Sequence, residues 1–231
     1  MNENKTVLGL TKLEKTLVIF VPMIVGGVIG WFMPVIADWL LKLPVVPLEI
    51  IIEIIASFNS LWASIVTTII GIIIGVLLTF IIFNESLEVT ISKDDLKLKF
   101  GEKVVTIAKK DISAVYLENK QLIILGQHSV ELYREVIDAK KDIVREAFQN
   151  DQYPWNEKDP FESDYQRWVL GHPDFPEKIS AFLYAREHAL KENKKKEAKH
   201  LREDLAKLGA VIKDDKGAQY VRLAEGAKLG K

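Results

Sequence analysis

The 231-residue chain contains no cysteine, and its positive and negative charges nearly cancel. The absence of cysteine excludes disulfides, thiolate zinc sites and cysteine nucleophiles. The formal net charge of −1 at pH 7 means that any case for binding nucleic acid has to come from a local group of charges. Nothing in the composition therefore requires an oxidising compartment or a strongly charged partner.

Motifs that carry common chemistry are missing as well. The sequence has no P-loop and no Gly-x-Gly-x-x-Gly fingerprint. The histidines lack the H-E-x-x-H spacing and the acidic companions of zinc enzymes; they are His128, His172, His188 and His200. We predict that the chain is not an enzyme and has no catalytic residue, metal site or cofactor.

What the chain does contain is a long uncharged stretch, residues 61–83, which reads LWASIVTTIIGIIIGVLLTFIIF. As a helix it would be roughly 34 Å long, enough for a hydrocarbon core of about 30 Å. A buried strand or core helix is the alternative, although such elements seldom remain apolar over this length. The stretch predicts a transmembrane helix.

A second, weaker span precedes it at residues 17–41. Pro22 and Pro34 interrupt its backbone hydrogen bonds and Asp38 lies near its end, so a kinked helix is expected. A signal peptide is the alternative, but the apolar stretch is longer than the roughly 7 to 15 residues of a signal. Residues 17–83 are thus predicted to form a transmembrane hairpin, with an amphipathic interfacial segment at 44–58.

The distribution of lysine sets the expected orientation of this hairpin. Lys5, Lys12 and Lys15 precede the first span, in an arm predicted at residues 1–16, whereas the loop between the spans carries only Lys42. By the positive-inside rule, both termini should be cytoplasmic in a two-span protein of the cell membrane. The small-xxx-small pairs Gly26/Gly30 and Gly71/Gly75 predict close helix contact, within the chain or between copies in a homo-oligomer.

After residue 84 the hydrophobic pattern changes to alternation. Five runs read as strands and a 3.6-residue pattern at 134–149 reads as a helix; the runs are 87–91, 96–100, 104–107, 112–117 and 121–125. We predict a small β-barrel of five to seven strands closed by one helix, over residues 84–150. This order, with the run IAKKDISAVYLENKQLIIL, resembles a bacterial pleckstrin-homology (PH) domain, in which seven strands precede a single C-terminal helix.

Basic residues lie on the early strands of this predicted domain. They are expected either to contact anionic lipid headgroups or to be the outward members of alternating strands; those retained as lipid candidates are Lys93, Lys97, Lys99 and Lys103. An aromatic and proline-rich linker follows at 151–176, with a short helix predicted at about 161–170.

The C-terminal segment, residues 177–231, is predicted to be a small helical module ending in a β-hairpin. Helices are expected at 179–194 and 195–209, the second ending at Gly209, with a hairpin turn at 214–217. A resemblance to the C-terminal segment of cysteinyl-tRNA synthetase rests on Arg186, Ala189, Ala198, Leu201, Arg202, Leu205, Leu208, Gly209, Asp214 or Asp215, Gly217 and Tyr220. Ala218 and Tyr220 stand where that family has Thr and Trp.

Taken with the two spans, the PH-like region and the YPW and DPF connector, the chain resembles the YqeB family of bacterial membrane proteins. The synthetase resemblance implies a tRNA-contacting segment without catalysis. The residues expected to contact RNA or phosphate, unless they form only a solvated face, are Lys194, Lys195, Lys196, Lys199 and Arg202. The leading hypothesis is a non-enzymatic membrane-anchored scaffold or adaptor for a protein partner. A membrane tether for tRNA or other RNA is the alternative, and a transport subunit a third.

Overall fold

The computed structural model describes residues 5–42 and 61–225, so the predicted interfacial segment 44–58 lies outside the described residues. The chain divides into two compact units. One contains the N-terminal strand together with residues 87–99 and 104–225, and the other contains 9–42, 61–86 and 100–103. The first unit is built mainly of strands and the second mainly of two long helices.

The helical unit consists of α1 (Lys12–Leu40) and α2 (Leu61–Asn84). α1 begins earlier than predicted because Thr11 forms a capping box with Glu14. The Thr11 hydroxyl accepts from the Glu14 N–H at 3.2 Å, and the Glu14 carboxylate accepts from the Thr11 N–H at 2.8 Å. Both helices are long and apolar enough to cross a membrane, and most of their large apolar side chains are exposed.

The two helices pack against each other at their glycines. A Cβ on Gly26 would overlap the carbonyl oxygen of Gly71, and a Cβ on Gly71 would overlap that of Gly26. At Gly75 a Cβ would lie 2.5 Å from the carbonyl oxygen of Pro22. Only glycine permits this backbone separation. The predicted close contact is therefore formed within one chain, while a homo-oligomer through the same glycines stays a prediction.

The first sheet contains four strands in the order β1-β2-β3-β4, which are β1 (Thr6–Leu8), β2 (Leu87–Ile91), β3 (Asp95–Phe100) and β4 (Lys103–Ala108). β1 pairs antiparallel with β2, with Thr6 opposite Ile91 and Leu8 opposite Val89. The arm predicted at residues 1–16 thus contains β1 and the beginning of α1. The two helices are an insertion between the first and second strands of the sheet, and a three-residue strand is too short for an alternation pattern to reveal.

The second sheet has the order β5-β6-β7 and is followed by α3; the elements are β5 (Ile112–Glu118), β6 (Gln121–Gly126), β7 (Glu131–Val136) and α3 (Lys141–Asn150). The helix predicted at 134–149 begins later because Val136 ends β7 opposite Gln121 and the buried Ile137 donates its N–H to the Lys120 carbonyl. With β1, seven strands precede one helix. The strands form separate sheets, so a closed barrel is not confirmed.

The connector after α3 is ordered along the sheet. The N–H of Val115 donates to the Pro154 carbonyl at 2.9 Å, and the Asn156 N–H donates to the Val115 carbonyl at 2.8 Å. The short helix predicted at 161–170 is wrong. A 3-10 turn (Glu162–Asp164) and strand β8 (Gln166–Arg167) occupy this region, since β8 pairs with the C-terminal hairpin.

The C-terminal module confirms the predicted two helices and hairpin. Its elements are α4 (Glu177–Lys191), α5 (Lys195–Lys207), β9 (Ala210–Asp215) and β10 (Ala218–Leu223), and its sheet has the order β8-β10-β9. Gly209 ends α5 with φ +82°, the left-handed conformation that glycine adopts without strain. The core of the module is formed by Trp168, Phe175, Ile179, Leu183, Leu205, Ala210, Ile212 and Val221.

Candidate functional site

The C-terminal module is organised around a buried arginine on α4. The Arg186 side chain is 1% exposed and binds the Asp214 carboxylate in a bidentate pair, with Nη1 to Oδ1 at 2.8 Å and Nη2 to Oδ2 at 2.7 Å. Its Nη1 also donates to Oε1 of Gln219 at 2.6 Å, and Gln219 donates to the Leu183 carbonyl at 3.0 Å. Planar bidentate pairs of this kind fix geometry as well as charge.

A second arginine shares the same carboxylate. Nη2 of Arg202 on α5 donates to Oδ2 of Asp214 at 2.6 Å. Burial alone would raise the pKa of Asp214, but Arg186 and then Arg202 outweigh burial and lower this pKa below its usual value. Burial, followed by repulsion from Arg186 and Arg134, lowers the pKa of Arg202. Asp214 therefore ties both helices of the module to β9.

The module packs against the β5-β6-β7 sheet through Arg222 on β10. The Arg222 side chain is buried; its Nη1 donates to the Ser129 hydroxyl at 3.1 Å, and its Cζ lies 4.6 Å from the ring centroid of Phe161 and 5.6 Å from that of Tyr165. Its Nε and Nη2 are buried without a hydrogen-bond partner among the described residues. The contact is therefore mainly a guanidinium held on aromatic rings.

Asp159 lies in the connector beside this contact and is 8% exposed. Its Oδ2 accepts from the hydroxyls of Tyr116 at 2.9 Å and Tyr165 at 3.0 Å, and its Oδ1 accepts from the Phe161 N–H at 2.9 Å. Burial raises the pKa of Tyr165 to about 12, and burial also raises the pKa of Tyr116. The connector, predicted as a linker, is thus part of the packed contact between sheet and module.

Ion pairs surround this buried contact. Lys213 on β9 pairs with Glu118 of β5 at 2.7 Å and with Glu162 at 3.4 Å, and Lys199 on α5 pairs with Glu135 of β7. On the sheet side, Arg134 pairs with Glu131, where both side chains are 6% exposed. Burial opposes the charge of Arg134, but Glu131 outweighs it and raises the pKa of Arg134.

The five residues predicted to contact RNA fall into two groups. Lys199 and Arg202 pair with carboxylates inside the unit, on Glu135 and Asp214. Lys194, Lys195 and Lys196 are exposed at the junction of α4 and α5, where Lys194 also pairs with Glu192 at 2.6 Å. Two of the five are thus engaged by carboxylates of the same unit, and three are exposed.

The lysines predicted to contact lipid are all exposed: Lys93, Lys97, Lys99 and Lys103. Lys97 and Lys99 alternate with the buried Leu96 and Leu98 on β3, so these two lysines share one face of the strand. No cluster of His, Cys, Asp or Glu that could hold a metal ion occurs within residues 5–42 and 61–225.

Sequence reasoning missed the two arginines that organise this region. In the sequence, Arg186 stands out only through the synthetase resemblance, and Arg222 belongs to no recognised motif. A signal was present for Arg186, because it lies three residues after the buried Leu183 and three before the buried Ala189, on the apolar face of α4. A charged residue on such a face predicts a buried partner. Arg222 lies on β10 between the buried Val221 and the half-buried Leu223, so strand alternation offers no comparable signal for it.

Comparison with known proteins places these parts in a family. Residues 6–156 match the model of the YqeB-like bacterial PH domain, and residues 172–222 match that of the cysteinyl-tRNA ligase anticodon binding domain. The chain is 36% identical to the uncharacterized protein YqeB of Bacillus subtilis (strain 168), over 97% of this chain and 94% of that protein. No solved structure matches it. The first match begins at β1 and continues through both helices to the connector, so the chain belongs to the YqeB-like bacterial PH domain family.

Proposed function

We propose that this chain is a non-enzymatic membrane-anchored adaptor, which holds a PH-like domain and its packed C-terminal module at a membrane surface for a protein partner. The observation that supports it is the position of the apolar helix pair between β1 and β2. Because the anchor interrupts the domain, the folded domain cannot be separated from it without losing a strand. Such an arrangement favours permanent residence at the membrane.

The pairing of β1 with β2 also bears on orientation. Strands on either side of a two-span hairpin can pair only if both ends of the hairpin lie on one side of the bilayer. Lys5, Lys12 and Lys15 precede α1, which by the positive-inside rule favours the cytoplasmic side. We therefore propose that both termini and the whole strand-rich unit are cytoplasmic.

Anchoring is tested by fractionating cells that express the full chain. We expect the chain to stay in the membrane pellet after an alkaline carbonate wash and to enter solution only with detergent. In spheroplasts, protease added outside should leave residues 84–231 intact, and should cut them after lysis. Release by carbonate alone would disprove the anchor, and digestion in intact spheroplasts would disprove the orientation.

The adaptor role is tested by crosslinking in membranes and affinity capture. The full chain should capture a protein that a chain lacking residues 177–231 loses. A chain with Arg222→Ala keeps the module but weakens its packing on the sheet, so it should capture an intermediate amount of the partner. Identical captured proteins from all three chains would show that the module does not bind the partner.

An RNA tether is the second candidate, supported by the match of residues 172–222 to an anticodon binding domain and by the exposed Lys194, Lys195 and Lys196. The test uses the full chain in nanodiscs with tRNA over a salt series, because Arg222 packs the module on the sheet. Binding should weaken with salt, and replacing the three lysines with alanine should reduce the slope by about two. No binding at low salt would disprove this candidate.

We also propose that Lys93, Lys97, Lys99 and Lys103 contact anionic headgroups, supported by their exposure. Hydrogen exchange in nanodiscs should show β3 more protected with anionic lipid than with zwitterionic lipid alone. Replacing Lys97 and Lys99 with glutamine should remove the difference. Equal protection in both lipids would argue against lipid contact.

A further inference from the structure

Pro22 leaves one backbone carbonyl of α1 without its usual donor. In an α-helix the N–H of each residue donates to the carbonyl four residues earlier, and proline has no N–H. The carbonyl of Val18 therefore lacks its donor from position 22. The Thr79 hydroxyl of α2 lies 2.9 Å from this Val18 oxygen and supplies a hydrogen bond from the neighbouring helix.

Pro34 produces the same situation twelve residues later. Its missing N–H leaves the carbonyl of Gly30 without a donor from position 34, and the Thr67 hydroxyl lies 2.6 Å from that oxygen. The two threonines are also twelve residues apart, as an antiparallel pair of helices requires. Each proline in α1 thus has its own threonine in α2.

Both hydroxyls also lie near a carbonyl of their own helix. Thr67 Oγ1 is 2.8 Å from the Ala63 oxygen, and Thr79 Oγ1 is 3.0 Å from the Gly75 oxygen. The two oxygens differ in their other donors. The Ala63 carbonyl faces the backbone N–H of Thr67, whereas the proline-freed Gly30 carbonyl has no N–H at position 34. The bond between helices therefore satisfies the group in greater need of a donor.

These contacts define one register. Opposed positions recur every four residues along both helices, and they are Val18 with Thr79, Pro22 with Gly75, Gly26 with Gly71, and Gly30 with Thr67. A slip of one turn would move both hydroxyls away from the freed carbonyls. A slip in one direction would also place Thr67 against Gly26, where a Cβ has no room. In the other direction Gly26 would face Gly75 and Gly30 would face Gly71, so glycine packing alone does not exclude that slip and the two hydroxyls have to distinguish the registers.

We propose that Thr67 and Thr79 lock α1 and α2 into a single register by replacing the donors that Pro34 and Pro22 lack. The proposal rests on the membrane anchor proposed above. In hydrocarbon no water can satisfy a freed carbonyl, so separating the helices would expose two unsatisfied groups. The two threonines are positioning residues of the anchor, and the locked pair leaves its glycine face closed to a second copy.

The test is disulfide formation in the full chain, which has no native cysteine. A Cβ on Gly27 would lie 3.4 Å from Cγ1 of Ile72, so Gly27→Cys with Ile72→Cys reports the observed register. Gly27→Cys with Val76→Cys reports a slip of one turn. In membranes we expect the first pair to oxidise at least tenfold faster than the second.

Replacing both threonines with valine keeps their shape and removes the hydroxyls. We expect T67V/T79V to reduce the ratio of the two oxidation rates about sevenfold. This factor is the combined effect expected from losing two interhelical hydrogen bonds of average strength in a membrane. Thr68→Val is the matched control, because the Thr68 hydroxyl bonds Ser64 of its own helix at 2.6 Å, and it should change the ratio less than twofold.

Two results would overturn the lock. One is an equal ratio in T67V/T79V and in Thr68→Val, and the other is a disulfide that joins two chains and doubles the mass. Carbonate extraction of each variant distinguishes loss of the helix register from loss of the membrane anchor. A chain that remains in the membrane but loses its register supports the lock, and a chain that leaves the membrane argues against the proposed anchor. In that case the same crosslinks in detergent still measure the register.

Discussion

The guanidinium of Arg222 lies on the ring of Phe161, with its Cζ 4.6 Å from the ring centroid, and it joins the C-terminal hairpin to the connector beneath the β5-β6-β7 sheet. The same side chain donates to Ser129 at the end of the sheet. Two parts of the chain that match different family models are therefore joined by this buried cation, together with the ion pairs Lys213–Glu118 and Lys199–Glu135. The C-terminal module is therefore part of the same compact unit as the sheets and is not a separate domain on a flexible linker.

Arg222→Ala should loosen this contact. Removing the side chain leaves a cavity between two aromatic rings and a serine hydroxyl without its donor, for an expected loss of about 2 to 4 kcal/mol. Hydrogen exchange of residues 210–223 in the full chain should show faster opening. Arg167→Ala, which removes an exposed arginine from the same small sheet, is the control and should cost less than about 0.5 kcal/mol. Equal effects would contradict the role of Arg222.

Leu8 and Val7 test whether the N-terminal strand belongs to the sheet. Leu8 is 4% exposed and Val7 is 57% exposed, as neighbouring residues of a strand should be. Leu8→Ala should destabilise the strand-rich unit by about 2 to 3 kcal/mol, and Val7→Ala by less than about 0.5 kcal/mol. Thermal unfolding of the full chain in detergent measures both. If the two variants unfold alike, β1 does not contribute to the domain.

Asp159 should be the most sensitive acid of the connector. Asp159→Ala removes the acceptor of two tyrosine hydroxyls and one N–H in a buried site, with an expected cost of about 2 to 3 kcal/mol. Asp164→Ala, at an exposed position five residues later, is the control and should be nearly neutral. Urea unfolding followed by tryptophan fluorescence distinguishes them. A neutral Asp159→Ala would disprove the buried cluster.

Asp214 should make the C-terminal module sensitive to acid. Its pKa in the folded chain is lower than in the unfolded chain, so its contribution is fully present above the usual pKa of 3.8 and is lost as pH falls through the lowered value. Asp214→Asn should be less stable near neutral pH and should lose less stability on acidification. Circular dichroism between about pH 2 and 7 measures this.

The neighbouring Asp215→Asn is the control for this titration, since Asp215 is exposed on the same strand and no guanidinium contact is seen for it among the described residues. It should leave both the neutral stability and the acid transition close to those of the unchanged chain. An acid transition in Asp214→Asn that matches the unchanged chain would contradict the assignment to Asp214.

Elements with strong local patterns could be predicted, and elements defined by distant partners could not. The two long helices and the α4, α5 and hairpin order followed from uninterrupted apolar or 3.6-residue patterns. The connector offered a misleading pattern at residues 161–170, where the backbone N–H of Trp168 donates to the Gln219 carbonyl on β10 and the Trp168 ring is buried in the core of the module. Two members of the predicted basic group, Lys199 and Arg202, pair with Glu135 and Asp214, partners that are distant in sequence or on another element.

Composition and spacing alone determined that the chain has two apolar helices and an alternating region, because these depend on neighbours within a few turns. The likeness of its end to the synthetase segment came from a resemblance to that family. Tertiary structure decided that residues 6–8 complete the first sheet across 78 intervening residues, and that Arg222 packs the last strand on the second sheet. Long-range pairings of this kind form because backbone and charged groups would otherwise be buried without a partner. Which groups these are depends on residues far apart in sequence, so a short sequence window does not show it.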